Sequence, residues 1–219
     1  MFRYCVEFTW ARIMANSASN PSGWSKMVIV QPPPNDAKLK ELILFVASRS
    51  QDDPRFGSTK LNKLLFFADF LAYVKLGKAI TNHPYMRLPN GPAPKAMVPI
   101  VKQMVRAQSL AIQDRDHYGK TQKVPIALRE ADLSLFSSAE IAVVTDVLDA
   151  CRKKNAKGIS SLSHKFAGWK LAKDRETIPY EVALVQFKKP RKQDIEKALA
   201  MRVELASLRR ESRRSDGDK

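Results

Sequence analysis

Between positions 58 and 76 the chain carries a run that can fold in few ways. Leu61, Leu64, Leu65, Ala68, Leu71 and Ala72 follow the i, i+3, i+4, i+7 spacing of one helical face. Phe66, Phe67, Phe70 and Tyr73 make the remaining faces apolar, and Asp69 is the only charge between Leu64 and Val74. A helix apolar nearly all round belongs at the centre of a fold, with other elements packed about it. Its aromatics suggest a base-stacking platform, but such platforms lie on exposed strands and loops. Asp69 then poses a solvation problem. An ionised carboxylate in that setting needs a cation or several donors, which Arg106, His164 or a backbone amide could supply. An acid–base role is the alternative, and a lone carboxylate supports it weakly.

Patterning on either side supplies the packing partners. Asp36 is placed to cap a helix over 37–49 with Leu39, Leu42, Ile43 and Val46 on one face. Gly77 is placed to end the central helix. Positions 81–94 read as a loop whose Pro89-Asn90-Gly91 has turn chemistry. Pro94 suits the start of a helix over 95–108, with Met97, Ile100, Val101, Met104 and Val105 inward. Strands over 109–114 and 122–129 then flank a turn. Ser137 and Glu140 form a capping box for a helix over 138–154, with Ile141, Val144, Leu148 and Cys151 inward. A helix over 160–173 turns Leu162, Phe166, Trp169 and Ala172 inward, and Gly168 permits close approach of a neighbour. Positions 177–180 are extended. The expectation is a mainly α fold: a single helical domain over 36–187 with one small antiparallel β-hairpin, plus a C-terminal helix.

The ends read differently. Positions 1–35 form a flexible extension: Met14 and Met27 are alternative starts, and Pro32, Pro33 and Pro34 make a stiff spacer. Glu7 and Arg12 interrupt the early apolar run, so it does not read as a secretion signal. Near the other end, 193–214 has a helix former's composition with Ala198, Met201, Leu205 and Leu208 in a narrow seam and a basic, arginine-rich end, before a disordered tail over 215–219.

Charge is the one compositional excess. The net +16 divides as +2 over 1–57, +9 over 58–187 and +5 over 188–219, so it is not a tail grafted on a neutral domain. It fits nucleic acid, an acidic protein or a membrane surface. The cluster Arg152, Lys153, Lys154 and Lys157 reads as cations at a helix C-terminus. Two cysteines exclude a disulfide scaffold, and no apolar run approaches the ~18 residues of a spanning helix. There is no phosphate loop, metal-binding His pair or nucleophile elbow, and His83, His117 and His164 are widely spaced. These absences read as a cytoplasmic non-enzyme without metal or cofactor.

Three segments carry a resemblance. Lys60-Leu61-Asn62-Lys63-Leu64-Leu65-Phe66-Phe67-Ala68-Asp69 resembles the K-L-x-K-L-L-Y-F-x-D opening of the Panacea domain, the SocA-like antitoxin family. Gly77-Lys78-Ala79-Ile80-Thr81, Tyr85 and Pro89-Asn90-Gly91-Pro92 resemble its second block. Ser163-His164, Trp169 and Ile178-Pro179-Tyr180-Glu181 resemble its last. Phe66 replaces the usual Tyr, and Ala93 stands where Val is common. The resemblance implies a helical domain acting by protein contact. Members are typically encoded beside a toxin and neutralise it by binding, and related proteins are phage-associated.

On that reading the partner is a toxin with an acidic face. Tyr85, Arg87 and Asn90, with Met201, Leu205, Leu208 and Arg209, are candidate contacts, while Leu64, Asp69 and Trp169 support the fold. The alternatives are a nucleic-acid regulator using 95–108 and the 109–129 hairpin as a winged helix, and an adaptor delivering a partner to a protease. In the former, Lys95, Lys102, Gln103, Arg106 and Gln108 would face the duplex.

Overall fold

A computed structural model describes residues 32–117 and 119–184. Among these, helix α1 spans Asp36–Arg49 and α2 spans Ser58–Leu76. Every residue of α2 from Lys63 to Tyr73 is buried, as its all-round apolar pattern requires. Gly77 ends it in the left-handed conformation, at φ 75°, where its amide closes on the Tyr73 carbonyl. Asn35, not Asp36, caps α1: its side chain accepts from the Lys38 amide, and Asp36 falls in the first turn, where its charge suits the helix dipole.

Around α2 the remaining elements pack in chain order. Strand β1 (Tyr85–Met86) pairs with β2 (Ala93–Pro94) on one side and β5 (Thr177–Ile178) on the other, both antiparallel. Helix α3 spans Met97–Arg106, and β3 (Leu110–His117) and β4 (Lys120–Ala127) form a separate hairpin. Then come α4 (Ser138–Cys151), α5 (Ala156–Ser163), α6 (Ala167–Leu171) and a 3-10 turn over Tyr180–Leu184. The fold is mainly α, with six α-helices among the described residues.

Several expectations need correction. The 81–94 loop contains two short strands, and together with 177–178 they make a sheet besides the expected hairpin. Two-residue strands leave no alternation to read. Pro94 lies on the edge strand β2, where its missing N–H costs nothing, and not in a helix. Val105 is exposed, because only Ile100 and Met104 of α3 are fully buried. The single helix expected over 160–173 is two, broken where Phe166 leaves helical geometry and sends its ring against Phe66 and Phe70. Gly168 holds as read: a Cβ there would come within 2.5 Å of Ile178 Cγ2. So does the capping box, with Ser137 and Glu140 bonding reciprocally. The N-terminal segment through position 31, the His117 side chain and the C-terminal helix with Met201, Leu205, Leu208 and Arg209 lie outside the described residues.

Candidate functional site

Three Asp and Lys side chains of α2 are buried in the apolar core, and they differ in how completely they are satisfied. Asp69 is fully buried. Its carboxylate accepts from the Thr81 amide at 2.8 Å, the Thr81 hydroxyl at 2.6 Å and the Tyr85 hydroxyl at 2.8 Å. Burial pushes its carboxyl up despite these donors, and burial with the Asp69 charge pushes the Tyr85 phenol well up. Of the expected partners the backbone amide is right; Arg106 is exposed. The missed donors are the Thr81 and Tyr85 hydroxyls, both on the segment that follows Gly77.

This arrangement moves Tyr85 from partner contact to core. The phenol is fully buried and packs edge-on to Phe66 and Phe70, while Tyr180 beside it donates to the His83 carbonyl at 2.6 Å. Asp69 thereby ties the 81–85 segment to α2, and the β1 register ties it to Ile178. Pro179 and Glu181 are exposed on either side of Tyr180.

Lys60 and Lys63 sit one turn apart, each only 2% exposed. An ammonium has three protons to place. Lys60 places all three: on Asp53 at 2.6 Å, on the Lys154 carbonyl at 2.7 Å and on the Arg152 carbonyl at 3.2 Å. It thus caps the carbonyl end of α4, a role the sequence assigned to the Arg152–Lys157 cluster. Lys63 has one acceptor, the Pro92 carbonyl at 3.1 Å, and none of the ion pairs among the described residues includes it. Burial lowers its ammonium from 10.5 to about 8.

The loop over Lys63 is shaped by Gly91, at φ 96°, where a Cβ would strike Ser163 Oγ and come within 2.6 Å of Lys63 Cε. Ser163, missed as a site residue, is fully buried and donates to the Ser160 carbonyl. His164 stacks on Trp169 at 3.9 Å between ring centroids, and the Arg87 guanidinium lies 4.5 Å from the same indole. Trp169 Nε1 donates to the Leu88 carbonyl at 3.0 Å, and Arg87 Nε donates to the Trp169 carbonyl at 3.1 Å. Burial, then the charges of Lys63 and Arg87, hold the His164 imidazole low. Lys63, Arg87, Gly91, Pro92, His164 and Trp169, drawn from three separate segments, therefore meet in one place.

The model of the antitoxin SocA-like, Panacea domain family matches residues 61–170. The chain belongs to this family. No curated protein and no solved structure matches it. The matched Panacea segment contains α2 from Leu61 onward, the loop through Pro92 and the His164–Trp169 stack; it begins after Lys60 and ends before Pro179, Tyr180 and Glu181.

Cys151 is a buried free thiol, pushed up to about 11 by burial, and so a poor nucleophile near neutral pH. Among the described residues no three His, Cys, Asp or Glu gather to hold a metal, and no helix is long and apolar enough to cross a membrane.

Proposed function

We propose that this chain is an antitoxin that neutralises a cognate toxin by direct contact in the cytoplasm. Membership of the SocA-like, Panacea family, matched over 61–170, carries the reading. The outer face of α3 supports it. Val98 and Val105 are 63% and 42% exposed on one side of that helix, flanked by exposed Lys95, Lys102 and Arg106, with no carboxylate over Met97–Arg106. Apolar anchors in a basic rim suit a protein partner with an acidic face, where charge speeds encounter and the apolar centre holds. Arg87 and exposed Asn90 offer a second contact, and Met201, Leu205, Leu208 and Arg209 a third.

A nucleic-acid regulator is the weaker alternative. The succession of α3 and the β3–β4 hairpin has the order of a winged helix, but exposed valines stand where a recognition helix needs polar side chains. Salt-sensitive duplex binding without sequence preference would only report the +16 charge.

Co-expression with the product of the adjacent gene tests the proposal. That product alone is expected to arrest growth, and the soluble chain to restore it and to co-purify with the product at undiminished level. A harmless product, or toxicity that persists beside soluble chain, overturns the proposal. Rescue with a shortened product half-life replaces it with the protease-adaptor reading.

A further inference from the structure

Lys63 is a buried cation for which the described residues provide no counter-ion. One of its three protons meets the Pro92 carbonyl, leaving two without a partner among those residues. The deficit extends to its neighbours. The His164 ring hydrogen-bonds the Pro89 backbone, yet its Nε2 is buried and unpartnered. Arg87 uses Nε on the Trp169 carbonyl and its guanidinium plane on the indole, and no described ion pair includes its terminal nitrogens.

Asp69 is engaged with Thr81 and Tyr85 and Glu176 with the Lys173 amide, and none of the described ion pairs joins a carboxylate to Lys63, Arg87 or His164. Three cationic or protonatable groups are thus collected without an anion, although bringing like charges together is unfavourable unless something offsets them. The indole holds His164 and Arg87, and Gly91 is the residue whose lack of a side chain lets the loop close over Lys63.

We propose that Lys63, Arg87 and His164 form a binding site for a single oxyanion, a phosphate or carboxylate group, entering where half-buried Arg87, His164 and Trp169 reach solvent. Lys63 supplies a desolvated point charge and Arg87 two forked N–H donors. His164 supplies Nε2–H once the anion has drawn a proton onto it. The site shares Arg87 with the second toxin contact, and anion binding is read on the chain alone, without the toxin.

The test uses the full-length 15N-labelled chain at constant ionic strength. Chloride is replaced by inorganic phosphate in one arm and by acetate in another. The readout is the indole N–H signal of Trp169, assigned by its loss in Trp169→Phe. A saturable shift is expected in at least one arm, with affinity reduced about tenfold or more in Arg87→Gln and in Lys63→Met, and unchanged in the variant of exposed Lys153, Lys153→Gln. Saturation by phosphate alone identifies a phosphoryl group; saturation by acetate identifies a carboxylate. A linear response equal to that of chloride in both arms, or equal affinity in Arg87→Gln and wild type, overturns the site and leaves a hydrated cavity. Arg87 reaches solvent, so Arg87→Gln decides the matter even if Lys63→Met fails to fold.

Discussion

Lys60 and Lys63 leave the same helix one turn apart, are equally enclosed, and end in opposite situations. Around Lys60 the chain provides one carboxylate and two carbonyls, and the ammonium joins α2 to the end of α4. Around Lys63 it provides one carbonyl, the Arg87 cation, the protonatable His164 imidazole and a loop that only glycine allows. One region is a finished structural joint. The other carries an unresolved excess of positive charge, which a stable fold alone does not call for. Burial by itself therefore does not mark a functional lysine; burial without partners does.

The largest effect should come from a third buried polar group, which shows what a fully satisfied one is worth. Asp69→Ala strips three buried donors of their acceptor and should cost about 3–4 kcal/mol in urea unfolding. A loss under about 1 kcal/mol would mean that Thr81 and Tyr85 find other partners and that the clamp is dispensable.

Next come the two lysines themselves. Lys60→Met leaves Asp53 and two carbonyls facing an apolar chain, and should cost about 2–3 kcal/mol. Lys63→Met removes a cation that lacks a counter-ion, and should be neutral or stabilising by up to about 2 kcal/mol. Equal losses in the two variants would erase the distinction.

A pH titration sharpens it further. Unfolded Lys63 keeps its proton up to about 10.5, while the folded state releases it near 8. Between those values the unfolded state binds more protons, so this residue makes stability rise with pH. Cys151, Tyr85 and Tyr180, all pushed up by burial, act in the opposite sense at alkaline pH. The Lys63 contribution is therefore read as wild type minus Lys63→Met. That difference should grow by about 2–3 kcal/mol across the interval. A flat difference would mean that Lys63 keeps its proton in the fold.

The smallest contrast concerns two glycines at positive φ. Gly77 has open space around it, so Gly77→Ala should cost about 1 kcal/mol from backbone strain alone. Gly91→Ala adds a collision with Ser163 and Lys63 and should cost more, with the Trp169 indole signal displaced. Equal costs, measured by thermal unfolding, would show that the loop yields easily.

How legible this was in the sequence follows from what each feature depends on. The central helix could be read because its apolar pattern is local and repeated over 58–76, and Gly77 and the Ser137–Glu140 box because capping chemistry is local too. The difference between Lys60 and Lys63 could not. Both are lysines in one helical run, and their fates depend on carbonyls at 152 and 154 or at 92, which only tertiary packing brings near. Tyr85 was misjudged for the same reason: its loop is drawn inward by Asp69, sixteen positions earlier. The break at Phe166 was hidden because the residues around it keep a helical apolar pattern straight through it. At α3 the apolar pattern overstated burial, since Val105 shares its helix with the core residues yet faces outward.

The most direct test of the central claim is calorimetric titration of the purified full-length chain into the purified product of the adjacent gene, with the product's toxic activity assayed on the same samples. A saturable complex is expected, with activity falling in proportion to the fraction bound. Loss of activity without a complex, or a complex that leaves activity intact, would contradict neutralisation by direct contact.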